Sequence, residues 1–472
     1  MNYGEMEMIK KVRINIEPTK ILLVAMLLVI MIGSILLMLP MCNKKPITWT
    51  NSIFVSTSAV CVTGLTPVIP IEQFSFIGQF ILLLLIQIGG IGFMTLIAIV
   101  LILIGKKLNL SDRIIIREAF NQNSFKGMAK LVKKVCTYTI MFESIGTALL
   151  ATRFIPKLGM IKGIWYSIFH SISAFCNAGF DLLGRNSLIP YSSDWIVCGT
   201  IIMLIIIGGL GFTVWDDIIE GIKKRKRLKD LTVHTKLVLI ITLILLIVGT
   251  ILTFVFEQNN IQTIGTNTIS EKILKSAFQS TTLRTAGFST VSQNELTSVT
   301  KFLSICYMFI GGSPASTAGG IKTVTLGIII LFVINYILGK QDINIFKKEI
   351  SSGSLNRAIV VFVISIFIVI TSICFLLVTE DLTMEEHVVE SISSYYNFSL
   401  MDIAFEVVSA FGTVGLTLGI TAKLSTLGKF IIIILMIIGR LGPITISIAL
   451  FKKHKETKQK QVKYPYGNIL IG

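Results

Sequence analysis

Four short segments of this chain share one pattern, in which a glycine follows small or hydroxyl-bearing residues. They are Ala59-Val-Cys-Val-Thr-Gly-Leu65, Ala174-Phe-Cys-Asn-Ala-Gly-Phe180, Thr282-Leu-Arg-Thr-Ala-Gly-Phe288 and Ala410-Phe-Gly-Thr-Val-Gly-Leu416. Because glycine lacks a Cβ, it lets the backbone turn its carbonyl oxygens inward. A ring of such carbonyl dipoles replaces the hydration shell of a monovalent cation. The segments contain no acidic residue, which argues against a carboxylate ring for divalent cations.

The four glycines, Gly64, Gly179, Gly287 and Gly415, are 115, 108 and 128 residues apart. A second glycine cluster begins 25, 29, 24 and 24 residues after them, at Gly89, Gly208, Gly311 and Gly439. Two landmarks that recur four times at nearly fixed spacing predict four internal repeats.

The elements around each first glycine occur in the same order. A long apolar span comes first (21–39, 135–152, 237–256 and 358–379). A short, less apolar stretch precedes the glycine (49–60, 164–175, 271–283 and 402–411), and most of these stretches are rich in serine and threonine. A second span follows (76–104, 195–215, 300–337 and 428–451). A dozen residues cannot cross a bilayer, which takes about 20 apolar residues. The short stretches therefore predict re-entrant helices. The alternative is eight ordinary helices joined by amphipathic loops.

The composition fits a membrane protein and excludes a soluble one. Of 472 residues, 53% are hydrophobic and 15% charged, with a mean hydropathy of +0.79, whereas soluble domains carry about 25% charged residues. We predict an all-α polytopic membrane protein with four M1–pore helix–M2 repeats, eight transmembrane helices, around a central pore with pseudo-four-fold symmetry. The predicted boundaries are a cytoplasmic N-terminus at 1–19, repeats at 20–110, 111–222, 223–340 and 341–451, and a cytoplasmic tail at 452–472.

Charge placement predicts the topology. With both termini cytoplasmic, the inner segments (1–20, 105–134, 216–236, 338–357 and 452–472) hold 29 Lys and Arg against 12 Asp and Glu, and the outer segments 12 against 13. This is the positive-inside pattern of a multi-pass cell-membrane protein, and it explains the net charge of +17 without a nucleic-acid partner. The run Lys223–Arg227 is either a topology anchor that contacts lipid headgroups or a patch for a partner.

At this point the sequence resembles a known family. Val62-Thr-Gly-Leu65, Asn177-Ala-Gly-Phe180, Arg284-Thr-Ala-Gly-Phe288 and Phe411-Gly-Thr-Val-Gly-Leu416 are similar to the selectivity-filter loops of the Trk/Ktr/HKT potassium transporters. Eight spans resemble the Ktr-type membrane subunit more than its ten-span Trk relative. The resemblance implies potassium uptake, often sodium-dependent, by a homodimer on a cytosolic ring of nucleotide-binding regulatory subunits. Potassium would be the permeant ion, and no other cofactor or metal site is expected.

The ion filter would comprise three residues of each turn: Val62, Thr63 and Gly64; Asn177, Ala178 and Gly179; Thr285, Ala286 and Gly287; Thr413, Val414 and Gly415. The side-chain oxygens of Asn177 and Thr63 either add ligands or support the turns. Arg284 should point away from the axis, because in the pore it would repel a cation. Asp402 and Glu406, at the start of the fourth short helix, either satisfy helix-end electrostatics or attract cations.

The proposed gate lies in the third and fourth repeats. It comprises Arg440 and the stretch Gly311, Gly312, Ser313, Pro314, Ala315, Ser316, Thr317, Ala318, Gly319 and Gly320. In a helix each glycine costs about 1 kcal/mol and proline about 3 kcal/mol relative to alanine, so the stretch is either a loop under the filter, as the resemblance implies, or a proline-kinked helix. Arg440 costs about 2.5–3.5 kcal/mol at the centre of a membrane span. Its partner is either the loop or Glu143, which itself is either structural or ion-binding.

Three other classes of protein fit less well. A membrane enzyme would need clustered catalytic groups at membrane depth, but Glu143, Lys322 and Arg440 belong to different repeats. A secondary cation transporter with inverted repeats conflicts with repeats that each contain an even number of spans. A potassium-binding subunit of an ATP-driven pump would also use a filter of carbonyl oxygens, but the predicted pattern of eight spans fits it less well.

The topology predicts which side of the membrane a label reaches. A single cysteine introduced at Lys44 should react with a membrane-impermeant maleimide in intact cells, and one at Lys226 only after permeabilisation, because the charge distribution places them on opposite sides. The parent protein, with its own seven cysteines replaced, is the control. The reverse labelling pattern would overturn the charge argument.

Overall fold

The structure, a computed structural model, describes residues 18–92, 128–225, 227–340, 344–346, 348–388, 398–443 and 445–446. Several predicted features therefore lie outside the described residues. These are most of the N-terminal segment 1–19, the first repeat's second span beyond residue 92, most of the inner segment 105–134, the end of the last span and the tail 452–472.

The described chain is mostly α-helical. We label its helices α1 (Pro18–Met38), α2 (Trp49–Cys61), α3 (Pro70–Gln73), α4 (Phe76–Ile91), α5 (Met128–Leu158), α6 (Met160–Phe175), α7 (Trp195–Leu210), α8 (Phe212–Lys223), α9 (Val233–Glu257), α10 (Ile269–Thr282), α11 (Ser298–Met308), α12 (Thr323–Ile337), α13 (Ser352–Val388), α14 (Leu400–Gly412) and α15 (Thr426–Leu441). Two short antiparallel strands, Asn344–Ile345 and Lys348–Glu349, pair before α13. Short 3₁₀ turns lie at Pro40–Cys42, Ile189–Tyr191, Leu228–Asp230 and Gln293–Glu295.

Four short helices, α2, α6, α10 and α14, each follow a long apolar helix and end at one of the glycine turns. They have 13 to 16 residues, so at 1.5 Å per residue they cannot span a membrane. Thr48, Thr268 and Ser399 begin three of them as N-caps that accept a backbone N–H. Asp402 forms a capping box with Ser399, so helix capping accounts for this carboxylate.

Four described helices are long and apolar enough to cross a membrane: Lys20–Met38, Val132–Leu158, Val233–Glu257 and Ser352–Asp381. A fifth is counted if α7 and α8, which meet at 96°, form one span. The chain is therefore a multi-pass membrane protein of helices, and the eight-span arrangement remains a prediction. The sequence predicted an uninterrupted second span at 195–215, but α7 ends at Leu210, because Gly211 has a φ of 92° and ends the helix as glycine commonly does.

Long and short helices pack in a cyclic order. Each short helix contacts the long helix before it in its own repeat. It also contacts the second helix of the preceding repeat, in the pairs α4 with α6, α7 with α10, α11 with α14, and α15 with α2. The last pair joins the fourth repeat to the first, so the four units form a closed ring.

In the third and in the fourth repeat, a buried carboxylate connects the long first helix to the start of the second helix. Glu257, at the end of α9, accepts hydrogen bonds from Thr297 N (2.9 Å) and Thr297 Oγ1 (2.8 Å) at the start of α11. Near the end of its apolar part, α13 provides Glu380, which accepts from Ser425 N (3.2 Å) and Ser425 Oγ (2.8 Å) at the start of α15. Each carboxylate thus satisfies one backbone N–H group that is free at a helix N-terminus.

The other two repeats make the same connection with different groups. In the second repeat Arg153 on α5 pairs with Asp194, the N-cap of α7, at 3.1 Å. In the first, the N-cap Ser75 donates from Oγ to the carbonyl of Met41, just after α1, at 2.6 Å. In each repeat, a polar contact therefore joins the end of the first helix to the start of the second, and we call it the rim contact. It fixes the two helices relative to one another.

Removing one rim carboxylate tests this role. Glu257 also accepts from Thr263 Oγ1 (2.6 Å) and Asn260 Nδ2 (2.7 Å), so Glu257→Ala leaves several buried donors unpaired, at a cost of about 3 kcal/mol. We expect a lower melting temperature for the purified protein in detergent. The exposed neighbour Glu295 provides the control, Glu295→Ala, which should melt like the wild type. Equal melting temperatures for all three proteins would show that the rim contact contributes little.

Candidate functional site

The four turns have the same backbone conformation. The residue two positions before each glycine is left-handed, with φ of 57° at Val62, 58° at Asn177, 63° at Thr285 and 51° at Thr413. The glycines themselves have φ of 96° at Gly64, 68° at Gly179, 78° at Gly287 and 91° at Gly415. Only glycine adopts these angles without strain, which explains why each turn requires it.

Backbone hydrogen bonds tie each turn to its own short helix. The amides of Thr63, Ala178 and Val414 donate to carbonyls five residues earlier, each at 2.8 Å, and Ala286 donates to Thr282 at 3.0 Å. In the first and fourth turns the glycine amide also donates to a serine hydroxyl. Since N–H and C=O point in opposite directions across a trans peptide, the carbonyls that precede these amides point away from the helices.

The carbonyl of the residue just before each turn glycine meets a neighbouring turn. A Cβ placed on Gly64 would lie 2.6 Å from the Ala178 oxygen, one on Gly179 would lie 2.8 Å from the Ala286 oxygen, and one on Gly287 would lie 2.6 Å from the Val414 oxygen. A Cβ on Gly415 would overlap the oxygen of Thr63. The turns therefore follow one another in the cyclic order first, second, third, fourth and back to first, with the four carbonyl oxygens between adjacent glycines.

A cavity of about 410 Å³ lies against this ring and is lined by the glycines of all four turns. The short helices end at the turns, so their partially negative C-termini also face the ring. Carbonyl oxygens and helix C-termini both favour a cation. The arrangement suits a desolvated monovalent cation that passes along the axis.

Side chains next to the ring support it from behind. Arg284 is buried and its Nη2 donates to Thr242 Oγ1 on α9 at 3.4 Å, so it is directed into the protein. The Asn177 side chain contacts Thr285 Oγ1 at 3.2 Å in either amide orientation and so links the second turn to the third. Thr63 Oγ1 is buried and has no hydrogen-bond partner among the described residues.

The stretch from Gly311 to Gly320 is an irregular loop between α11 and α12, with closed ends. Gly311 N donates to Ile321 O at 2.8 Å, and Thr323 N donates to Gly312 O at 3.0 Å. The two ends of the loop therefore lie side by side, where α11 ends and α12 begins. In a proline-kinked helix these residues would be separated along the helix axis. The two helices are therefore held together at the base of the loop.

The loop is bonded to the break between α7 and α8. Ser313 N donates to Gly209 O (3.0 Å), and Phe212 N donates to Ala315 O (3.0 Å). A Cβ on Gly211 would lie 2.6 Å from Pro314 O. The bend in the second repeat thus makes room for the loop of the third.

The loop also lies directly against the turns. Thr317 Oγ1 donates to Phe175 O at the end of α6 (3.3 Å), and Gly319 N donates to Thr413 Oγ1 in the fourth turn (3.1 Å). The loop is therefore adjacent to the second and fourth turns.

Arg440 completes these contacts. Its guanidinium donates to the carbonyls of Thr317, in the loop, and Gly89, on α4. One guanidinium thus joins the third repeat's loop to the first repeat, which lies opposite it in the ring, so the loop passes across the ring. Within the described residues no ion pair joins Arg440 to Glu143, whose carboxylate instead accepts from Gln87 Nε2 (3.1 and 3.2 Å).

Two features of this site were missed in the sequence. One is the bend at Gly211, although Gly208-Gly-Leu-Gly211 repeats the spacing of Gly89-Gly-Ile-Gly92 and Gly439-Arg-Leu-Gly442, each of which ends a helix at a glycine with positive φ. The other is Lys322, whose Nζ donates to Ala318 O at 2.7 Å and holds the loop from its own repeat.

Comparison with known proteins identifies the family of the chain. A family model described as TrkH, cation transport protein, matches residues 10–462. The chain belongs to this family. It is 39% identical to the Ktr system potassium uptake protein B of Bacillus subtilis, over 97% of this chain and 98% of the relative. It is 37% identical to the potassium/sodium uptake protein NtpJ of Enterococcus hirae, over 98% and 99%.

The fold is also that of the TrkH family. The crystal structure of the potassium transporter TrkH from Vibrio parahaemolyticus superimposes with a TM-score of 0.72, covering 93% of this chain and 86% of that one at 17% identity. At this identity the match shows a shared fold. Membership in a family of cation transport proteins, together with the ring of turns, makes cation transport the activity to be explained.

Proposed function

We propose that this chain is the potassium-translocating subunit of a potassium uptake system. Ions pass in single file through the ring of carbonyl oxygens, as in a channel. The names of the B. subtilis and E. hirae relatives support potassium as the permeant ion. The E. hirae name, which also includes sodium, supports a sodium-dependent mechanism.

The cyclic contact of the four turns carries this proposal. Four glycines whose Cβ positions are occupied by neighbouring backbone atoms are expected at a narrow axis lined by backbone and not in ordinary packing. Each turn contributes one such glycine, so the carbonyl stack is short. A short stack should discriminate between potassium and sodium less strongly than a long one.

We further propose that the loop and Arg440 form the gate. The loop passes across the ring and is held by several backbone hydrogen bonds and two cationic side chains. It therefore adds a steric barrier, and the charge of Arg440 adds an electrostatic one. Opening requires the loop to move aside as the inner ends of the second helices move. The driving partner would be a ring of cytosolic nucleotide-binding subunits under a homodimer of this chain, and the word "system" in the Ktr relative's name supports a further component.

The filter proposal predicts the effect of each turn glycine. Replacing Gly64, Gly179, Gly287 or Gly415 by serine should raise the apparent KM for potassium uptake about tenfold or more, equivalent to about 1.4 kcal/mol. Gly415 should be the most sensitive and Gly179 the least, following the closeness of the neighbouring oxygen. Uptake is measured in cells that lack their own potassium transporters.

The matched control for these variants is Gly199→Ser on α7, where a Cβ meets no atom within 4 Å. It should transport with wild-type affinity. If all four turn variants also kept wild-type affinity at normal membrane levels, the filter assignment would be wrong.

The gate proposal predicts faster transport without the barrier. Arg440→Ala frees the carbonyls of Thr317 and Gly89, and deletion of 313–318 removes the loop while its paired ends allow the chain to close. Both changes should raise the maximal uptake rate severalfold, with a smaller effect on the apparent KM. Dependence on a regulatory subunit should fall. Arg440→Lys should be intermediate, because an ammonium cannot hold two carbonyls with a rigid fork. Well-expressed variants that transport more slowly would contradict the gate.

A further inference from the structure

The fourth short helix contains a buried carboxylate that the carbonyl ring and the gate do not use. Glu406 lies in the middle of α14, and its side chain is fully buried. In the part of the chain that the structure describes, no Lys or Arg forms an ion pair with it. A buried carboxylate without a cation is costly unless it accepts strong hydrogen bonds, so its partners indicate its role.

Both partners belong to the segment that follows the fourth turn. Glu406 Oε2 accepts from Thr417 Oγ1 at 2.7 Å, and Oε1 accepts from Thr421 Oγ1. Thr417 is two residues beyond Gly415, and its Oγ1 in turn accepts from Gly419 N at 2.9 Å. The carboxylate therefore fixes the chain on the far side of the turn.

The near side of the same turn is fixed by another residue of α14. Ser409 accepts the Val414 amide through its carbonyl (2.8 Å) and the Gly415 amide through its hydroxyl (3.1 Å). Glu406 and Ser409 are three residues apart and lie on one helix face. One face of α14 thus holds the turn from both sides and leaves its carbonyls little freedom to move.

The equivalent position, nine residues before the turn glycine, is unlike this in the first and third repeats. It is Val55 in the first and Phe278 in the third, neither of which can accept a hydrogen bond. In the first repeat the hydroxyl that corresponds to Thr417, that of Thr66, donates instead to Val68 O at 2.7 Å within its own loop.

The second repeat, which lies opposite the fourth in the ring, again has a polar group there. His170 is fully buried, and its Nδ1 lies 2.7 Å from Tyr166 O. Because a carbonyl can only accept, Nδ1 has the proton, and Nε2 is free to accept from Leu182 N at 3.5 Å. The contact is longer than that of Glu406, but it joins the same two elements, the short helix and the segment after the turn.

We propose that Glu406 is a positioning residue for ion selectivity. It sets the carbonyl positions of the fourth turn through hydrogen bonds to Thr417 and Thr421, and His170 makes a weaker version of the same brace across the ring. The second and fourth turns, which lie opposite each other in the ring, are thus held more rigidly than the first and third. This inference rests on the proposed filter.

The test measures potassium uptake and sodium uptake for each variant and compares the ratio of the two apparent KM values. The double variant Thr417→Val, Thr421→Val removes both donors with little change in shape. We expect its discrimination between potassium and sodium to fall about tenfold, as for the loss of hydrogen bonds to a charged group. In Glu406→Leu, discrimination between potassium and sodium should fall by a similar factor.

Glu406→Gln distinguishes positioning from charge. A carboxamide can accept from one threonine and donate to the other, so this variant should keep discrimination within about twofold of the wild type, because the bonds remain. Thr66→Val is the matched control in the first repeat and should also match the wild type.

Two results would overturn the proposal. One is wild-type discrimination in the double valine variant at normal membrane levels. The other is a Glu406→Gln protein as impaired as Glu406→Leu, which would make the charge, and not the hydrogen bonds, the active property. Parallel assays of Gly415→Ser separate this failure from that of the filter: if Gly415→Ser alters affinity and the brace variants do not, only the positioning role is lost.

Discussion

A backbone amide at membrane depth must find its acceptor within the protein, because lipid provides none. In the four turns the acceptors are main-chain carbonyls and serine hydroxyls of the short helices. In the first and fourth turns the glycine amide bonds to the short helix, so the carbonyl before it, that of Thr63 or Val414, points away from the helix and meets the neighbouring turn. The orientation of these two ring oxygens thus follows from ordinary hydrogen-bond satisfaction, and each turn begins with a left-handed residue two positions before its glycine.

The same constraint explains the loop of the third repeat. A helix that ends inside a protein leaves carbonyls unpaired, and α7 ends near the ring with the oxygens of Gly208 and Gly209 available. The loop provides the missing donors through the amides of Thr317 and Ser313. The carbonyls at the end of α7 and the amides of the loop thus satisfy each other's hydrogen bonds. If the loop moves to an open position, these groups must bond to water or to new protein partners. A barrier built in this way is stable when closed and still removable, since each bond is individually weak.

The sequence was sufficient for features that depend on spacing. The glycine landmarks located the turns, and the polar stretches located the short helices within a few residues of where α2, α10 and α14 lie. The sequence could not determine partners between repeats. Arg440 was assigned either the loop or Glu143, and only the fold distinguishes them, because the choice depends on how α15 lies against α4. Glu406 was assigned either to helix-end electrostatics or to the attraction of cations. Its partners Thr417 and Thr421 lie beyond the end of the helix and meet it only because the turn reverses the chain.

Among the four junctions of the ring, the contact of α15 with α2 joins two repeats that do not follow one another in the chain. Lys429 Nζ on α15 donates to Asn51 Oδ1 on α2 at 3.1 Å, and Arg440 reaches Gly89 nearby. A ring of four separate identical subunits would have four equivalent junctions, whereas this chain has one that must wait for the final helix. During synthesis the first repeat is complete long before its partner exists. The hydrogen bonds of Lys429 and Arg440 across this junction can therefore form only after α15 has been made.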